Sequence, residues 1–342
     1  MSETMVVVRE PELQQLVVDR LTAVGMRSAE ARTVADVLVY ADLHGIHSHG
    51  VLRVEHYVNR ICSGGMNLAV TLELERLRPS IGLVDAQGCV GHVATRHATE
   101  AAIKIAAAEG MALVGIRNNS HCGALGYYVD MALDAGVACL MCANTDKAVV
   151  PFGGRAPFFG TNPLAFGLPG QTDSILLDMA TSEVSLGKVL YAKELGQEIP
   201  ATWTVDDAGQ ATTDPNQAAA LVPFGAGYKG YGINLMVEAL TGVMIGGIFG
   251  PHLTKMYGDL DSYRDLANFI LVVDPTVFDA EAAFRDRTQQ MIDQLRALPA
   301  AAGTEGVRVP GEAARRIAAR QEREGIPLPQ AIYDYLADGA GT

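Results

Sequence analysis

Three of the chain's eight histidines lie within six positions of one short stretch, HGIHSHG at residues 44–50. The spacing His44-x-x-His47-x-His49 fits a metal site, a proton-transfer site or a crowded turn. A zinc site needs three or four His, Cys or carboxylate ligands. His47 and His49 point in the same direction only if the chain is extended, and in that case His44 points in another direction and cannot join them. Proton transfer needs one imidazole, which Ser48 could orient beside His49. We therefore favour proton transfer and keep a metal-dependent hydrolase as an alternative.

Two further side chains suit the chemistry of a small organic acid. Arg53 follows the histidines by about one helical turn, and its guanidinium can hold a carboxylate through two hydrogen bonds. His121 lies in a polar elbow between a predicted strand and a helix that starts near Ala124. The positive end of that helix disfavours imidazolium, which leaves a neutral general base. The alternatives are a solvated arginine and a structural histidine.

A glycine-rich segment, GAGYKG at residues 225–230, matches the dinucleotide pattern G-x-G-x-x-G by its letters. That pattern requires a strand directly before it and an acid about 20 positions later. Pro223 breaks any such strand, and residues 240–250 are apolar and glycine-rich, so a Rossmann site is not predicted. What remains is a turn that opens a helix and offers Lys229 to an anion, or a flexible loop with a solvated lysine.

The segment ILLDMATSEV predicts a second strand-to-helix turn. A buried strand ends at Asp178, and Thr181 and Ser182 can cap the helix that follows. An acid in this position could accept hydrogen bonds from ribose hydroxyls and would repel a 2′-phosphate. The alternative is a buried turn acid without a ligand.

The N-terminal elements that carry the histidines are predicted to be helical throughout residues 1–62. Apolar residues recur at helical spacing over residues 11–42, where Gly25 separates two helices and Ser28 is a plausible N-cap. A third helix begins after Ser48. The histidine stretch is therefore the elbow between two helices.

From about residue 70, short β-rich runs alternate with alanine-rich helices, which is typical of α/β architecture. Predicted strands include SIGLVDA, ALVGIRN, ACLMCAN, SILLDMA and FILVVDP, and predicted helices cover 94–109, 124–135, 279–297, 310–324 and 329–337. Residues 151–170 read as a loop, and residues 231–250 as a buried helix.

The composition limits the class of protein. The 342 residues are 49% hydrophobic and 19% charged, with a net charge of −13 and no dense Lys/Arg run, so we expect a globular protein that binds no nucleic acid. Asn234 and Glu238 argue against a membrane span at residues 231–250, and the acidic N-terminus is unlike a signal peptide. Five sparse cysteines suit a reducing cytoplasm, and Cys139-x-x-Cys142 reads as buried strand thiols rather than a redox or zinc motif.

Several stretches together resemble one family. ADLHGIHSHGVLRVEHY (41–57), NNSHCGALGYY (118–128), VVPFGG (149–154), GTNPLAFGLPG (160–170), DMATS (178–182) and YKGYG (228–232) resemble the type-2 malate/L-lactate dehydrogenases. The resemblance implies an α/β, L-sulfolactate dehydrogenase-like, non-Rossmann fold. It implies an N-terminal helical region (1–75), a cofactor-binding α/β portion (76–260) and a C-terminal segment (261–342) that packs on the N-terminal region. It also implies a homodimer with the active site near the subunit interface.

The resemblance further implies roles for individual residues. His121 matches the proton acceptor, Ser48 and His49 match a catalytic pair, and Arg53 and Thr161 are expected at the substrate. The residues expected at the cofactor are Asn144, Thr145, Asp178, Met179, Ala180, Lys229, Pro310, Gly311 and Glu312. No metal is expected. Two departures from the family pattern are Cys122, where many members have Phe or Ser, and His44, where arginine is common.

Within the family, VADVLVYAD, TDP (213–215), KMYGDL (255–260) and the ending EGI…IYDYL resemble the ureidoglycolate dehydrogenase branch. This implies oxidation of a small 2-hydroxy acid, (S)-ureidoglycolate to oxalurate, with NAD as cofactor; NADP is not excluded. The alternatives on the same scaffold are malate, lactate or sulfolactate as substrate, or NADPH-dependent reduction of a keto or imino acid.

Overall fold

The computed structural model describes residues 4–338; the ends of the expected N- and C-terminal portions, residues 1–3 and 339–342, lie outside the described residues. Its α-helices are α1 (Glu10–Thr22), α2 (Ser28–Leu43), α3 (Val54–Cys62), α4 (Gly91–Glu109), α5 (Leu125–Asp134), α6 (Leu186–Glu194), α7 (Tyr228–Glu238), α8 (Glu281–Arg296), α9 (Glu312–Glu324) and α10 (Gln330–Ala337). Its strands are β1 (Met5–Val8), β2 (Leu74–Arg78), β3 (Ile81–Asp85), β4 (Met111–Asn119), β5 (Ala138–Ala143), β6 (Leu164–Pro169), β7 (Ser174–Met179), β8 (Thr204–Val205), β9 (Ala220–Leu221), β10 (Leu266–Val273) and β11 (Ile326–Pro329).

Seven strands form the central sheet in the order β2-β3-β4-β10-β5-β6-β7. Only the β3–β4 pair within it is parallel. Helices α4 and α5 pack on one face of this sheet around an apolar core, and α7 with its continuation packs on the other. The α/β class expected from the sequence is confirmed, and the strand directions differ from the parallel sheet of a Rossmann fold.

One edge of the sheet collects four chain segments that are distant in sequence. Because β10 runs antiparallel between β4 and β5, its first residue, Leu266, pairs with the last residue of β4. Cys142 near the end of β5 pairs with Leu164 at the start of β6, and Leu164 pairs with Met179 at the end of β7. The loops that follow β4, β5 and β7 and precede β6 and β10 therefore meet at this edge.

The chain's two ends share a second apolar core. Val17, Leu38 and Tyr57 of the N-terminal helices pack there with Ile326 and Leu336 near the C-terminus. Strand β1 pairs antiparallel with β11. The end of the C-terminal segment therefore packs on the N-terminal region, whereas β10 of the same expected segment lies in the central sheet. The division of the chain at residues 75 and 260 stays a prediction.

Some local expectations were wrong. Residues Met5–Val8 are a strand rather than helix, because β11 supplies the pairing partner. Ser28 is the first residue of α2, and Arg27 occupies the N-cap position. The expected 151–170 loop contains β6, whose residues Leu164–Pro169 pair with both β5 and β7.

The helix expected at residues 231–250 begins earlier and is less buried than expected. Helix α7 starts at Tyr228 and continues as a wider turn over Ala239–Val243. Asn234 and Val237 are buried, but Leu235 and Met236 on the same helix are exposed. The apolar residues of this segment therefore lie on two faces of the helix, of which one packs into the core and the other is exposed.

The C-x-x-C pair consists of buried free thiols, as expected. Cys139 packs into the core under α4 and α5, and Cys142 packs into the core on the opposite face of the sheet. Residues three apart in a strand face opposite sides, so these two sulfur atoms do not converge.

Within residues 4–338, none of the helices combines the length and the apolar composition needed to cross a membrane.

Candidate active site

The histidine elbow is a pair of 3-10 turns, His47–His49 and Val51–Arg53, between α2 and α3. The buried carboxylate of Asp42 holds it: one oxygen lies 2.9 Å from His47 Nδ1 and the other accepts the backbone N–H of Val51 at 2.7 Å. A side chain at Gly50 would stand 2.2 Å from that carboxylate. His47 therefore helps Asp42 to hold the turn. His44 Nδ1 lies 2.8 Å from the Tyr40 carbonyl oxygen, and its ring packs at a tilt against the Tyr40 ring.

His49 projects from this elbow toward His121. Ser48 Oγ lies 2.9 Å from His49 Nδ1, and the His49 and His121 rings stack with centroids 5.6 Å apart and planes 23° apart. Burial, with a smaller effect of Arg53, lowers the pKa of His49 to about 4. Ser48 can therefore orient a neutral His49, as the sequence suggested.

His121 occupies the expected elbow between β4 and α5. Its Nδ1 atom lies 2.7 Å from the Tyr57 hydroxyl and 3.3 Å from the Gly123 backbone N–H. Burial lowers the pKa of His121 well below its ordinary value, and the nearby His49 and Arg53 lower it further. The imidazole is therefore neutral at physiological pH, and burial is the main cause rather than the helix end alone.

Arg53 lies beside this pair of rings at the start of α3. Its Nε donates to the Ser48 carbonyl oxygen at 2.7 Å, and Nη1 donates to the Tyr257 hydroxyl. Tyr257 belongs to a loop held by Arg60, a fully buried residue that donates to five carbonyl oxygens. The acceptors are those of Lys255, Met256, Gly258, Asp259 and Ser262.

A buried ion pair supports the same wall of the site. Arg264, which precedes β10, donates to the Asp146 carboxylate at 2.5 Å and is 2% exposed. The second Asp146 oxygen accepts the Met256 backbone N–H at 3.1 Å. This pair joins the loop after β5 to the loop that carries Tyr257.

Thr145 and Thr161 contact each other at the sheet edge. Thr145 Oγ1 accepts the Thr161 backbone N–H at 2.9 Å, and the two hydroxyl oxygens lie 3.4 Å apart. The Asn144 amide accepts the Ala267 N–H at 2.8 Å and donates to the Ile248 carbonyl oxygen at 2.9 Å. Asn144 therefore holds backbone on both sides, and its neighbour Thr145 presents a hydroxyl.

A buried polar network ties α7 to this loop. Asn162 Nδ2 donates to Asn234 Oδ1 at 3.0 Å and to Glu238 Oε2 at 2.6 Å. Asn234 in turn donates to the Gly160 carbonyl oxygen. Sequence reasoning gave Asn234 and Glu238 no role in the site, although polar residues four apart in an apolar helix are a signal for such a network.

Asp178, Met179 and Ala180 lie where β7 reaches the same edge. Asp178 Oδ2 accepts the Gly126 backbone N–H in the first turn of α5 at 2.7 Å. Burial raises the pKa of Asp178 to about 6, although that hydrogen bond lowers it. The expected turn acid is thus next to the helix that follows His121.

The expected helix caps after Asp178 were wrong. Thr181 Oγ1 donates to the carbonyl oxygens of Thr161 and Asn162, and Ser182 Oγ donates to Val184 O. Helix α6 begins only at Leu186, with Ser185 at its N-cap. The Thr181 hydroxyl therefore fastens the chain to the segment before β6, and the Ser182 hydroxyl makes a local turn, so neither opens a helix.

The turn Pro310-Gly311-Glu312 docks on β7. The Leu176 N–H donates to the Pro310 carbonyl oxygen at 3.1 Å, and Glu312 accepts from Arg296 at 2.5 Å. Gly311 has a φ of +95°. Gly311 and Asp178 both line a small cavity of about 20 Å³, which has room for one water molecule.

Lys229, which belongs to the glycine-rich segment, is exposed in the first turn of α7, as expected. A separate groove of about 560 Å³ is lined by residues of 150–155, 201–211 and 222–226, and contains none of the expected site residues. Within the described part of the chain, no group of three His, Cys, Asp or Glu side chains could hold a metal ion.

The structure therefore brings Ser48, His49, Arg53 and His121 together. The sequence reasoning missed Tyr57, which lies four residues after Arg53 on the same face of α3, a spacing that could have revealed it. The non-Rossmann sheet defines an α/β protein, and the arrangement of these groups could carry acid–base chemistry on a small anionic substrate.

Comparisons with known proteins identify the family. The malate/L-lactate dehydrogenase family model matches residues 8–337. The chain is 42% identical to the ureidoglycolate dehydrogenase (NAD(+)) of Escherichia coli K12 over 96% of this chain and 94% of that protein. It is 32% identical to the malate/(S)-sulfolactate dehydrogenase of Methanothermus fervidus, over 97% and 96%. The structure of sulfolactate dehydrogenase from Methanocaldococcus jannaschii superposes with a TM-score of 0.91 at 29% identity, over 98% and 96%. The chain belongs to the malate/L-lactate dehydrogenase family.

Proposed function

We propose that the protein is an NAD-dependent oxidoreductase of small 2-hydroxy acids, acting in the cytoplasm. The observation that supports this most is the convergence of His121, His49 and Arg53. This arrangement places a neutral base next to a guanidinium. A 2-hydroxy acid requires both groups, because the base can accept its hydroxyl proton and the guanidinium can bind its carboxylate.

The residues at the sheet edge fit a nicotinamide dinucleotide. Asp178 offers carboxylate oxygens to ribose hydroxyls, Thr145 and Thr161 offer hydroxyls, and Lys229 offers a cation for the diphosphate. The turn Pro310-Gly311-Glu312 would close over the same strand. When bound, the nicotinamide supplies the hydride acceptor.

In the proposed mechanism, Arg53 binds the substrate carboxylate and orients the hydroxyl-bearing carbon. His121 accepts the hydroxyl proton, and its low pKa keeps the lone pair available before substrate binds. His49, oriented by Ser48, stacks against His121 and helps to exclude water from the base. The protein's contribution is therefore geometry and proton transfer.

We propose (S)-ureidoglycolate as the substrate and oxalurate as the product. The support is the 42% identity to ureidoglycolate dehydrogenase over nearly the whole chain. Malate and sulfolactate are the competing substrates, because relatives with those names match at lower identity.

The test is a panel of ureidoglycolate, malate, lactate and sulfolactate with NAD and NADP, followed by the absorbance of reduced nicotinamide. A keto acid and a cyclic imino acid with NADPH cover the reductive alternatives. We expect the highest kcat/KM with ureidoglycolate and NAD. His121→Asn should lower kcat about 10²- to 10⁴-fold, whereas His97→Gln on α4 should leave it unchanged. Full turnover by His121→Asn would refute the assigned base. A native protein that reduces no nicotinamide with any of these acids and that co-purifies with a metal ion would favour a hydrolase.

We also propose a homodimer that uses the outer face of α7. Between residues 228 and 249 the only charged side chains are Lys229 and the buried Glu238. Tyr228, Met236 and Val243 expose 64%, 40% and 60% of their surface along this face, an apolar stripe that is typical of an interface. Light scattering should give a dimer mass for the native protein and a monomer mass for Met236→Glu; an unchanged dimer would place the interface elsewhere.

A further inference from the structure

A fully buried histidine lies behind His121. His92, in the first turn of α4, is 0% exposed, and its Nε2 atom lies 3.5 Å from the Tyr57 hydroxyl, the group that also lies 2.7 Å from His121 Nδ1. The other nitrogen of His92 has no hydrogen-bond partner within residues 4–338. The three side chains therefore form a row that runs from His121 through Tyr57 to His92.

The positions in this row are held by direct backbone packing. A Cβ atom on Gly91 would stand 2.3 Å from the Ser120 carbonyl oxygen and 2.4 Å from that of His121. A Cβ atom on Gly123 would stand 3.1 Å from His92 Nε2. The start of α4 thus lies against the elbow that carries His121, and neither part can shift without the other.

The row holds a single hydroxyl proton that two nitrogens can accept. Burial lowers the pKa of His92 to about 3 and raises the pKa of Tyr57, so both are uncharged. A neutral imidazole has one N–H and one lone pair. If the Tyr57 hydroxyl donates to His121 Nδ1, the imidazole proton is on Nε2, and no lone pair is left for the substrate.

The other arrangement frees the base. If the Tyr57 hydroxyl donates to His92 Nε2, its oxygen can accept the N–H of His121 Nδ1, and His121 Nε2 keeps the lone pair. The Gly123 N–H, 3.3 Å from His121 Nδ1, favours the first arrangement. An acceptor for the Tyr57 proton is therefore needed to hold His121 in the form of a base.

We propose that His92 is a positioning residue, which accepts the Tyr57 hydroxyl proton and thereby sets the tautomer of His121 that can take a proton from the substrate. This inference rests on the proposed function, in which His121 is the base. His92 itself touches neither substrate nor cofactor and acts through Tyr57.

Variants of His92 test the proposal in the full-length protein with NAD and ureidoglycolate, or whichever substrate the panel identifies. His92→Leu, which cannot accept a proton, should lower kcat/KM about 10- to 100-fold, and His92→Gln, whose amide oxygen can, should recover most of the loss. In a Tyr57→Phe background, His92→Leu should cost no further activity, because its partner is gone. Additive losses in that cycle, or full activity of His92→Leu, would overturn the proposal.

The ¹⁵N chemical shifts of labelled histidines report the tautomer directly and do not depend on a variant of His92 that folds. The His121 signals, assigned by their loss in His121→Asn, should show N–H on Nδ1 in the native protein. N–H on Nε2 there would overturn the proposal even if His121→Asn is inactive. An inactive native protein with every substrate would instead reject the proposed function.

Discussion

Asp178→Asn should stabilise the protein at neutral pH, because the native carboxyl is ionised there at a cost. Its pKa in the folded protein is about 6 against an ordinary value of 3.8, a difference of about 2 units. At 1.36 kcal/mol per unit this corresponds to about 3 kcal/mol, which partial exposure to water reduces to about 2 kcal/mol. The asparagine oxygen can still accept the Gly126 N–H.

The sign follows from the raised pKa. The stabilising contribution of protonated Asp178 is fully present below about pH 4 and is lost as the pH rises through 6. The difference in unfolding free energy between Asp178→Asn and the native protein should therefore widen in favour of the variant, by about 1 to 2 kcal/mol between pH 4.5 and 7.5. Urea unfolding at several pH values measures this difference.

Asp173→Asn provides a control of opposite sign. The hydrogen bond from Arg296 lowers the pKa of Asp173 below its ordinary value, so its ionised form stabilises the fold and the effect fades as the pH falls. This variant should be less stable than the native protein near neutral pH. An Asp178→Asn curve parallel to the native one, or one that falls below it as the pH rises, would refute the assigned burial of Asp178.

Two further substitutions test the packing that supports the site. Arg60→Leu should lower the free energy of unfolding by about 3 kcal/mol, since five carbonyl oxygens, most of them part-buried, lose their donor. It should also raise KM for the hydroxy acid, because the loop with Tyr257 loosens. Urea unfolding and steady-state kinetics check this, and unchanged values of both would contradict it. Gly160→Ala places a Cβ atom 2.2 Å from the Thr145 carbonyl oxygen, so it should weaken NAD binding about tenfold, corresponding to about 1.4 kcal/mol, as measured by calorimetry. An unaltered affinity would show that the Thr145–Thr161 contact is not part of the cofactor site.

Local patterns in the sequence predicted many of the elements. Helical spacing placed α2 and α3 and the elbow between them, and the β-rich runs placed β4 and β5. Strands β6 and β11 were missed because neither sequence alternates polar and apolar residues. Each becomes a strand through hydrogen bonds to partners elsewhere in the chain. Asn144 illustrates the same limit for the site, since its amide is committed to the backbone of Ile248 and Ala267.

The sequence by itself determined which residue types are present at each bend: the histidines, Arg53, and the acid at the end of β7. Only the tertiary structure decided which bends meet. Strand β10 enters the middle of the sheet after β7, and so Asn119 comes to donate a hydrogen bond to Asn268, 149 positions away. Such pairing depends on long-range loop closure and on packing of whole faces, which short-range periodicity does not encode. The position of Tyr57 between the imidazoles of His121 and His92 was decided at that level too.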